Sequence, residues 1–391
     1  MLPHSPAVIS TRGAKRWQDG HPWIFKSDVV AAPAVPAGAV TVTDQSGRPL
    51  GTALWSPQSE ISLRFVTREM HGALDLAWWT ARIAQAVSRR AGILDSDTNA
   101  CRLVHGEGDA LPSLVVDRYD RWLVVQLLSA GLEAFRAEIV AALTAITGAE
   151  GILARNDASV RTREGLTRGV ETLMGTVPDA VEVREHGVRY LAAPHTGQKT
   201  GAFLDQREAR VLVGTVARGR ALDVFSYHGS FALHMAKRAT SVKAVDSSAS
   251  ALARVRENAA LNGITNIEPV EADAIDLIRA EEKAGERYDT IVLDPPAFAK
   301  NRASIAGAIR GYREINLRAM KLLSPGGMLY TASCSYHLTK ADFVEMLREA
   351  AAHSGRRMII RALTGQPLDH PEVLTIPESG YLKGALLEAG D

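Results

Sequence analysis

The half of the chain that follows residue 196 alternates short apolar segments with helical ones, and this alternation restricts the fold more than any other feature. The apolar segments have the length of strands and lie at 221–225, 242–246, 266–270, 289–293 and 328–333. Helical periodicity separates them near 230–238, 249–262, 274–282 and 303–323. A last helix (340–352) and two further strand candidates follow. Strands that alternate with helices form βαβ units, whose strands are parallel and covered on both faces. The sequence therefore predicts an α/β fold with a doubly wound, mostly parallel sheet over residues 196–391.

The first half of the chain has a different composition. All six tryptophans lie between Trp17 and Trp122. Residues 1–70 contain short alternating runs interrupted by Pro and Gly, which is typical of a small β-barrel or sheet. Helical periodicity at 73–91 is followed by short strands and a further helix between 101 and 175, which predicts a small α+β domain.

Charge and cysteine content exclude several classes of protein. The 45 basic and 44 acidic residues give a net charge of +1, so a nucleic-acid or membrane partner would have to meet a local patch. Two cysteines cannot build a disulfide framework, which favours a reducing compartment. No apolar run approaches the length of a membrane span, and the first residues lack the apolar core of a signal peptide. We therefore expect a cytoplasmic globular protein with no membrane partner.

Four consecutive predicted strands carry acidic residues at or near their carboxyl ends, where ligands bind in doubly wound sheets. These acids are Asp223, Asp246, Asp273 (with Glu271) and Asp294. Each one alone could be a helix cap or a loop carboxylate. Together they suit S-adenosylmethionine, because its ribose hydroxyls, adenine amine and ammonium are all hydrogen-bond donors. The loop after the first strand contains a single glycine, Gly229, so the dinucleotide fingerprint GxGxxG is absent.

Cys334 follows the fifth strand, in the sequence Ser333-Cys334-Ser335. A free cysteine is often a buried core residue, but this position, beside Asp294, favours a nucleophile. A thiolate that adds to carbon 6 of a pyrimidine makes carbon 5 reactive enough to accept a methyl group. Because a free thiol has a pKa of about 8.5, a nearby cation or dipole is expected to help. Asp294 could polarise the base, and Phe298 could stack on it.

The segment 297–323 has a strong local positive charge. Six basic residues accompany Glu314 alone, namely Lys300, Arg302, Arg310, Arg313, Arg318 and Lys321. Such a run is either a solvated helix face or a contact for RNA phosphates, and the sequence leaves both interpretations open.

Several longer motifs resemble a known family. They are RLVHGEGDALPSLVVDRY (102–119), GQKTGAFLDQRE (197–208), ALDVFSYHGSFALH (221–234), DPPAFAK (294–300) and SCS (333–335). These stretches are similar to the bacterial large-subunit rRNA cytosine-5 methyltransferase I family, whose members use S-adenosylmethionine to modify carbon 5 of a cytidine in 23S rRNA. The resemblance extends over essentially the whole chain.

The resemblance implies a domain organisation and a set of partners. It implies a PUA-like RNA-binding barrel at 1–72, a central α+β domain at 73–180, a connecting β-hairpin at 181–195 and a Rossmann-like methyltransferase domain at 196–391. The implied cofactor is S-adenosylmethionine without a metal, and the implied partner is RNA, either 23S rRNA or a large-subunit precursor. Homodimerisation stays open.

The strand-end pattern and the resemblance together give the candidate site residues. Cys334 and Asp294 would be catalytic. The candidate cofactor contacts are Phe203, Asp205, Gln206, Arg207, Asp223, Phe225, Ser226, Tyr227, Gly229, Asp246, Ser247, Asn258, Asp273, Ala274 and Asp294. The candidate substrate contacts are Pro295, Pro296, Phe298, Lys300, Arg310 and Arg313.

The chain departs from the family pattern at two positions of the loop after the first strand. His228 and Ser230 stand where the family usually has threonine and glycine. His228 is either a harmless loop residue or one that adjusts the cofactor pocket. We expect Ser230 to cap the following helix, because serine is a competent N-cap.

Two other functions fit parts of the sequence. An amino-nitrogen methyltransferase also uses an Asp-Pro-Pro loop followed by an aromatic residue, although here Ala297 intervenes before Phe298. An RNA-binding assembly factor could retain the fold without catalysis, although the intact acids argue against it.

Overall fold

The computed structural model describes residues 6–71, 73–298 and 305–390. These residues form two compact units. The first unit contains the described residues up to Val183, together with Ala192–Leu204 and Leu368–Ser379. The second unit contains Arg184–Leu191, Asp205–Pro367 and the described residues from Gly380 onward.

Within residues 6–71 of the first unit, six strands form one sheet in the order β2-β6-β5-β4-β1-β3. The elements are β1 (Ala7–Ile9), α1 (Thr11–Gln18), β2 (Trp23–Phe25), β3 (Val29–Ala31), β4 (Gly38–Asp44), β5 (Pro49–Trp55) and β6 (Ile61–Thr67). Helix α1 begins where the Ser10 side chain accepts a hydrogen bond from the Gly13 amide. Its Trp17 ring stacks on Phe65 of β6 at 4.2 Å, so the helix packs against the sheet.

Within residues 73–183 of the same unit, five strands form a second sheet in the order β11-β10-β9-β8-β7. The elements are α2 (Leu76–Ser88), β7 (Ala100–His105), β8 (Leu114–Tyr119), β9 (Trp122–Leu127), α3 (Ala130–Glu133), α4 (Arg136–Thr147), β10 (Gly151–Arg155), α5 (Val160–Arg163) and β11 (Val170–Gly175). Trp79 and Ile83 of α2 share a buried core with Leu143 of α4 and Val116 of β8. This is the α+β arrangement that the sequence predicted.

A two-stranded hairpin follows, formed by β12 (Val181–Glu185) and β13 (Val188–Ala192). Its turn residues His186 and Gly187 both have positive φ angles, 47° and 71°. Two such residues in a two-residue turn match the right-handed twist of the paired strands.

Across the described residues of the second unit, seven strands form a sheet in the order β16-β15-β14-β17-β18-β20-β19. The elements are α6 (Arg207–Val216), β14 (Arg220–Val224), α7 (Ser230–Ala236), β15 (Ser241–Asp246), α8 (Ala249–Leu261), β16 (Ile267–Glu271), α9 (Ala274–Ala284), β17 (Tyr288–Leu293), α10 (Ile305–Leu322), β18 (Leu323–Ser333), α11 (Lys340–Ser354), β19 (Met358–Thr364) and β20 (Lys383–Ala389). Strands β14 to β18 are parallel, and β20 is antiparallel to both of its neighbours. The predicted doubly wound fold is confirmed.

Both faces of this sheet are buried because successive side chains of a strand point to opposite faces. Leu222 and Leu293 belong to the core under α9, α10 and α11, whereas Ala221 and Val292 belong to the core under α6, α7 and α8. The chain order reverses at β14, since β15 pairs on one side of it and β17 on the other. A reversal of this kind opens a crevice at the carboxyl ends of the strands. Over the described ranges, no helix is both long and apolar enough to cross a membrane.

A buried ionic network fastens the hairpin to two helices of the second unit. The Arg210 guanidinium of α6 donates to both carboxylate oxygens of Glu185 at 2.6 and 2.5 Å. His234 of α7 lies 3.1 Å from the same carboxylate. Burial by itself would raise the pKa of Glu185, but the charge and hydrogen bonds of Arg210 outweigh burial and lower that pKa.

We predict that Glu185→Gln destabilises the protein strongly, because it leaves a buried guanidinium without its counter-charge. The expected loss in free energy of unfolding is roughly 3–5 kcal/mol at neutral pH, measured by urea denaturation. The carboxylate stabilises the fold above its unfolded pKa of 4.5 and loses that contribution as the pH falls, so the difference between the proteins should shrink in acid. Glu345→Gln, which breaks an exposed pair with Arg348, is the control and should have no measurable effect. Equal stability of wild type and Glu185→Gln at pH 7 would contradict the prediction.

Candidate active site

The loop between β14 and α7 has an unusual backbone that the neighbouring strand holds in place. Phe225 and Tyr227 have positive φ angles of 66° and 49°, which non-glycine residues rarely adopt. The Ser226 amide donates to the Val245 carbonyl, and the Tyr227 amide donates to Asp246 Oδ2, both at 2.9 Å. Strained residues persist where their surroundings determine them, and they concentrate at ligand sites.

Gly229 ends this loop with a φ of 82°. A Cβ atom at this position would lie 3.1 Å from the side chain of Val255. Both the backbone conformation and the close approach of α8 therefore favour glycine.

Asp223 is fully buried near the carboxyl end of β14. Its Oδ2 accepts a hydrogen bond from the Ala232 amide at 2.9 Å, and Oδ1 has no hydrogen-bond partner among the described residues. Burial raises the pKa of this carboxyl to about 8, and the negative charges of Asp294 and Asp246 act in the same direction. The carboxyl is therefore largely protonated at neutral pH.

Asp246 ends β15 and is partly exposed. Its Oδ2 accepts from the Tyr227 amide and its Oδ1 accepts from the Ser248 amide, each at 2.9 Å. The next residue, Ser247, is exposed. The carboxylate is thus held rigidly, with an exposed edge beside the loop.

The start of α6 brings two further predicted residues to the same edge. Gln206 donates a hydrogen bond to Asp294 Oδ1 at 2.8 Å, directly after β17. The Tyr381 hydroxyl donates to Asp205 Oδ2 at 2.7 Å. Arg207 follows as a buried residue at the start of the helix, 3.2 Å from Glu208. Gln206 therefore contacts Asp294 directly, while Asp205, its neighbour in the chain, is held by Tyr381.

The geometry at this edge fits S-adenosylmethionine. Asp223 Oδ1 and Ser226 Oγ are buried polar atoms for which the described residues offer no partner, and such atoms call for a donor or acceptor from a ligand. The Asp246 carboxylate suits a ribose diol. A cationic ammonium group would match the cluster of acids around Asp223.

Three of the predicted cofactor residues have structural roles in the fold. Asp273 is exposed and caps α9, because its Oδ1 accepts from the amides of Ile275 and Asp276. Ala274 is the buried first residue of that helix. Asn258 is buried, and its amide accepts from the Leu191 backbone and donates to the His228 carbonyl, both at 2.9 Å. Asn258 therefore joins β13 to the loop.

Phe203 belongs to the first unit, in the segment Ala192–Leu204. The Lys199 ammonium lies 4.6 Å from the centroid of its ring. The other predicted cofactor residues belong to the second unit.

Cys334 is half-buried and directly follows β18, the strand next to β17. Leu293 of β17 is the register partner of Thr331 of β18, so Asp294 and Cys334 leave neighbouring strands at the same edge. The hydroxyl of Tyr312 lies 2.9 Å from Ser335 Oγ. The same hydroxyl lies 3.5 Å from the Pro296 carbonyl oxygen, so it bridges the segments that follow β17 and β18.

The predicted base-stacking residue, Phe298, is partly buried and its ring lies 4.5 Å from the Tyr312 ring. Pro295 is buried, whereas Pro296 is exposed. Lys300 lies outside the described residues. This side of the candidate site therefore has an aromatic pair beside an exposed proline.

The positive charge of α10 is largely neutralised by neighbouring helices. Arg313 pairs with Glu349 of α11 at 2.9 Å, while Arg318 and Lys321 both pair with Glu282 of α9. These three residues are ion-paired helix-face residues, because acids distant in sequence pack against them. Arg310, one turn earlier, is exposed.

The expectation that Ser230 caps α7 is wrong. Gly229 occupies the N-cap position, and Ser230 is the first helical residue. Its Oγ lies 2.9 Å from His228 Nδ1, within hydrogen-bond distance. The hydroxyl therefore contacts the imidazole and does not cap a backbone amide of the helix. The imidazole also stacks on Tyr190 of β13, with ring centroids 5.1 Å apart.

His228 is an uncharged support of the loop. Burial lowers the pKa of its imidazole to about 3, and the nearby Arg210 charge acts in the same direction. The two departures from the family pattern thus form a contacting pair. Only Gly229 separates His228 from Ser230 in the sequence, and this short spacing could have predicted their contact.

Sequence comparisons identify both parts of the chain. A profile of the S-adenosylmethionine-dependent methyltransferases matches residues 101–384, and a PUA-like domain profile matches residues 8–68. A Salmonella arizonae protein named ribosomal RNA large subunit methyltransferase I is 37% identical over 98% of this chain and 97% of its own length. A Klebsiella pneumoniae protein of the same name is 38% identical over 97% of each chain.

Structural comparisons identify the same fold. A protein from Streptococcus mutans, described as a SAM-dependent methyltransferase, has a TM-score of 0.83 over 98% of this chain and 99% of its own, at 20% identity. A methyltransferase solved in complex with SAH has a TM-score of 0.84 with the same coverage and identity. At this identity the likeness establishes the fold.

We predict that binding of S-adenosylmethionine releases a proton through Asp223. Because the pKa of this carboxyl is about 8 before binding, a cation placed beside it should lower that pKa and expel the proton at pH 7. Isothermal titration calorimetry in buffers of different ionisation enthalpy should therefore show a buffer-dependent heat. Asp223→Asn should remove the dependence, while the exposed Asp276→Asn should keep it.

A second measurement covers the case in which Asp223→Asn binds too weakly for calorimetry. In the absence of cofactor, folded Asp223 retains a proton that the unfolded chain loses above pH 3.8, so its contribution to stability falls as the pH rises toward 8. Asp223→Asn should be less sensitive to pH over this range in urea denaturation. An unchanged pH dependence would show that Asp223 titrates normally.

Proposed function

Since the chain belongs to the S-adenosylmethionine-dependent methyltransferases, in the family named ribosomal RNA large subunit methyltransferase I, we infer that RNA is its methyl acceptor. We propose that it forms 5-methylcytosine in 23S rRNA through a covalent adduct with Cys334. The observation that carries this proposal is the position of Cys334. It follows β18 at the edge where Asp294 follows β17 and where Asp223 lies one residue before the end of β14.

The bound cofactor would supply an electrophilic methyl group on its sulfonium sulfur. The acids around Asp223 would bind and orient the cationic end of the cofactor, and Asp246 would bind its ribose. The strained loop from Phe225 to Gly229 would present backbone groups to it without reorganisation.

Cys334 would activate the base by covalent catalysis. Its thiolate sulfur adds to carbon 6 of the cytosine, and the electron pair of the carbon 5–carbon 6 double bond becomes available at carbon 5. Carbon 5 takes the methyl group, whose former bonding pair stays with the cofactor sulfur. A base then removes the carbon-5 proton, the double bond reforms, and the sulfur–carbon bond breaks to return the thiolate.

Asp294 would orient and polarise the cytosine. Gln206 holds one carboxylate oxygen at 2.8 Å, and the two prolines that follow fix the backbone and remove two amide donors. A proton shared between this carboxyl and ring nitrogen 3 would make carbon 6 more electrophilic. The segment Asp294-Pro295-Pro296-Ala297 contains no second cysteine, so another base must remove the carbon-5 proton.

RNA is the substrate class that best fits the remainder of the chain. The PUA-like domain at residues 8–68 is the proposed RNA-docking module. Arg310 is the exposed basic residue of α10 closest in sequence to the Asp-Pro-Pro segment, so it is the proposed phosphate contact. The target base would have to leave its stack to reach Cys334.

We predict that Cys334→Ala loses methyl transfer to 23S rRNA by about a thousandfold or more, because it removes the nucleophile. The measurement is incorporation of labelled methyl groups into rRNA, with 5-methylcytidine identified by nucleoside mass spectrometry. Cys101→Ala removes the other cysteine, which is buried in the first unit, and should retain activity.

Trapping should give the same answer through a different observable. RNA containing 5-fluorocytidine should form a covalent adduct with wild type and Cys101→Ala, and none with Cys334→Ala. An N-methylated nucleoside as the product would instead favour an amino-nitrogen methyltransferase. Full activity of Cys334→Ala would eliminate the covalent mechanism.

A further inference from the structure

A buried lysine is hydrogen-bonded to the segment that follows β18 and contains Cys334. Lys383 is the first residue of β20 and only 4% exposed. Its ammonium donates hydrogen bonds to the carbonyl oxygens of Ser335 and Leu338, both at 2.8 Å. Lysine is seldom buried, because removing an ammonium from water is costly unless hydrogen bonds and a negative charge compensate.

The strand register places Cys334 between two contacts with this lysine. Lys383 is the antiparallel partner of Ser333, the residue before Cys334. Its ammonium then binds the carbonyl of Ser335, the residue after Cys334. Lys383 therefore contacts the residues on both sides of Cys334, the preceding one through strand pairing and the following one through its ammonium.

Other titratable groups face Cys334 from neighbouring elements. Tyr312 of α10 contacts Ser335, and burial raises the pKa of its phenol, so it remains neutral. Asp294 follows β17 and is an acid, while Tyr336 and His337 belong to the same segment as Cys334. Negative charge on Asp294 opposes a thiolate, whereas the positive charge of Lys383 favours it.

We propose that Lys383 is a positioning residue that stabilises the Cys334 thiolate, both as the group that attacks and as the group that leaves. This inference rests on the proposed function, in which Cys334 is the nucleophile. The second role matters because the Asp-Pro-Pro segment supplies no cysteine that could assist release. A cation beside the departing sulfur makes it a better leaving group, since it stabilises the charge that develops there.

The test is the pH dependence of Cys334 alkylation in the full chain. In that reaction the thiolate displaces iodide from iodoacetamide and forms a thioether. Its rate, followed by peptide mass spectrometry between pH 5.5 and 10, reports the thiolate fraction. Lys383→Met should raise the midpoint by about one pH unit, which is a tenfold lower rate at neutral pH. Lys383→Arg should keep the midpoint near that of wild type.

Tyr312→Phe is the matched control. It removes the hydroxyl contact to Ser335 and keeps the buried charge, so it should change the plateau rate and leave the midpoint where it is. Cys101, which is buried, reports folding in the same digest, because it reacts only if the chain opens.

Two results would overturn the inference. One is an unchanged midpoint in Lys383→Met while Cys101 stays protected. The other applies if Lys383→Met exposes Cys101, so that the variant is uninformative. In that case an alkylation midpoint of Cys334 in wild type at or above about pH 8.5 would show that the thiolate receives no stabilisation. Trapping by 5-fluorocytidine RNA separates the two proposals: an adduct without a midpoint shift refutes the role of Lys383 alone. A midpoint shift without an adduct refutes the nucleophile and leaves the charge contact standing.

Discussion

The parallel pairing of β14 with β15 on one side and β17 on the other is the constraint on which the candidate site depends. Val224 pairs with Val245 and with Leu293, so the residues that follow these positions leave the sheet side by side. Asp246 and Asp294 are those residues, and Asp223 lies one position inside the central strand. Parallel strands end at the same edge of a sheet, and their register is fixed by hydrogen bonds. This register brings Asp223 and Asp294 to one edge, although they are 71 residues apart in the sequence.

The carboxyl-end edge of the sheet has two sides with different electrostatic environments. On the side of β14 and β15 the acids repel one another and lack full solvation, so Asp223 holds a proton and the region favours a cation. On the side of β18 the buried ammonium of Lys383 binds the carbonyl of Ser335, the residue after Cys334, and its positive charge favours an anion. The proposed methyl transfer, from a sulfonium to a base activated by a thiolate, would need both kinds of environment. The sheet separates them by placing β17, with Asp294 at its end, between them.

Much of the fold could be predicted because strand and helix periodicity are local properties. The predicted strands of the second unit differ from the observed ones by one or two residues, except that β18 starts at Leu323, where it pairs with Tyr288 beyond a register shift. The strand-end positions of Asp223, Asp246, Asp294 and Cys334 followed from the same pattern. The ion pairs of α10 with Glu282 and Glu349 did not, because they join helices that are brought together only by the sheet.

The sequence by itself determined the class of fold, the strand ends and the chemical types of the residues there, because each depends on neighbours within a few positions. Only the tertiary structure decided the state and the role of those residues. The protonation of Asp223, the pairing of His228 with Ser230 and the burial of Lys383 near Cys334 depend on distances through space. Electrostatic energies vary with such distances and with the loss of water, and neither can be read from the order of residues along the chain.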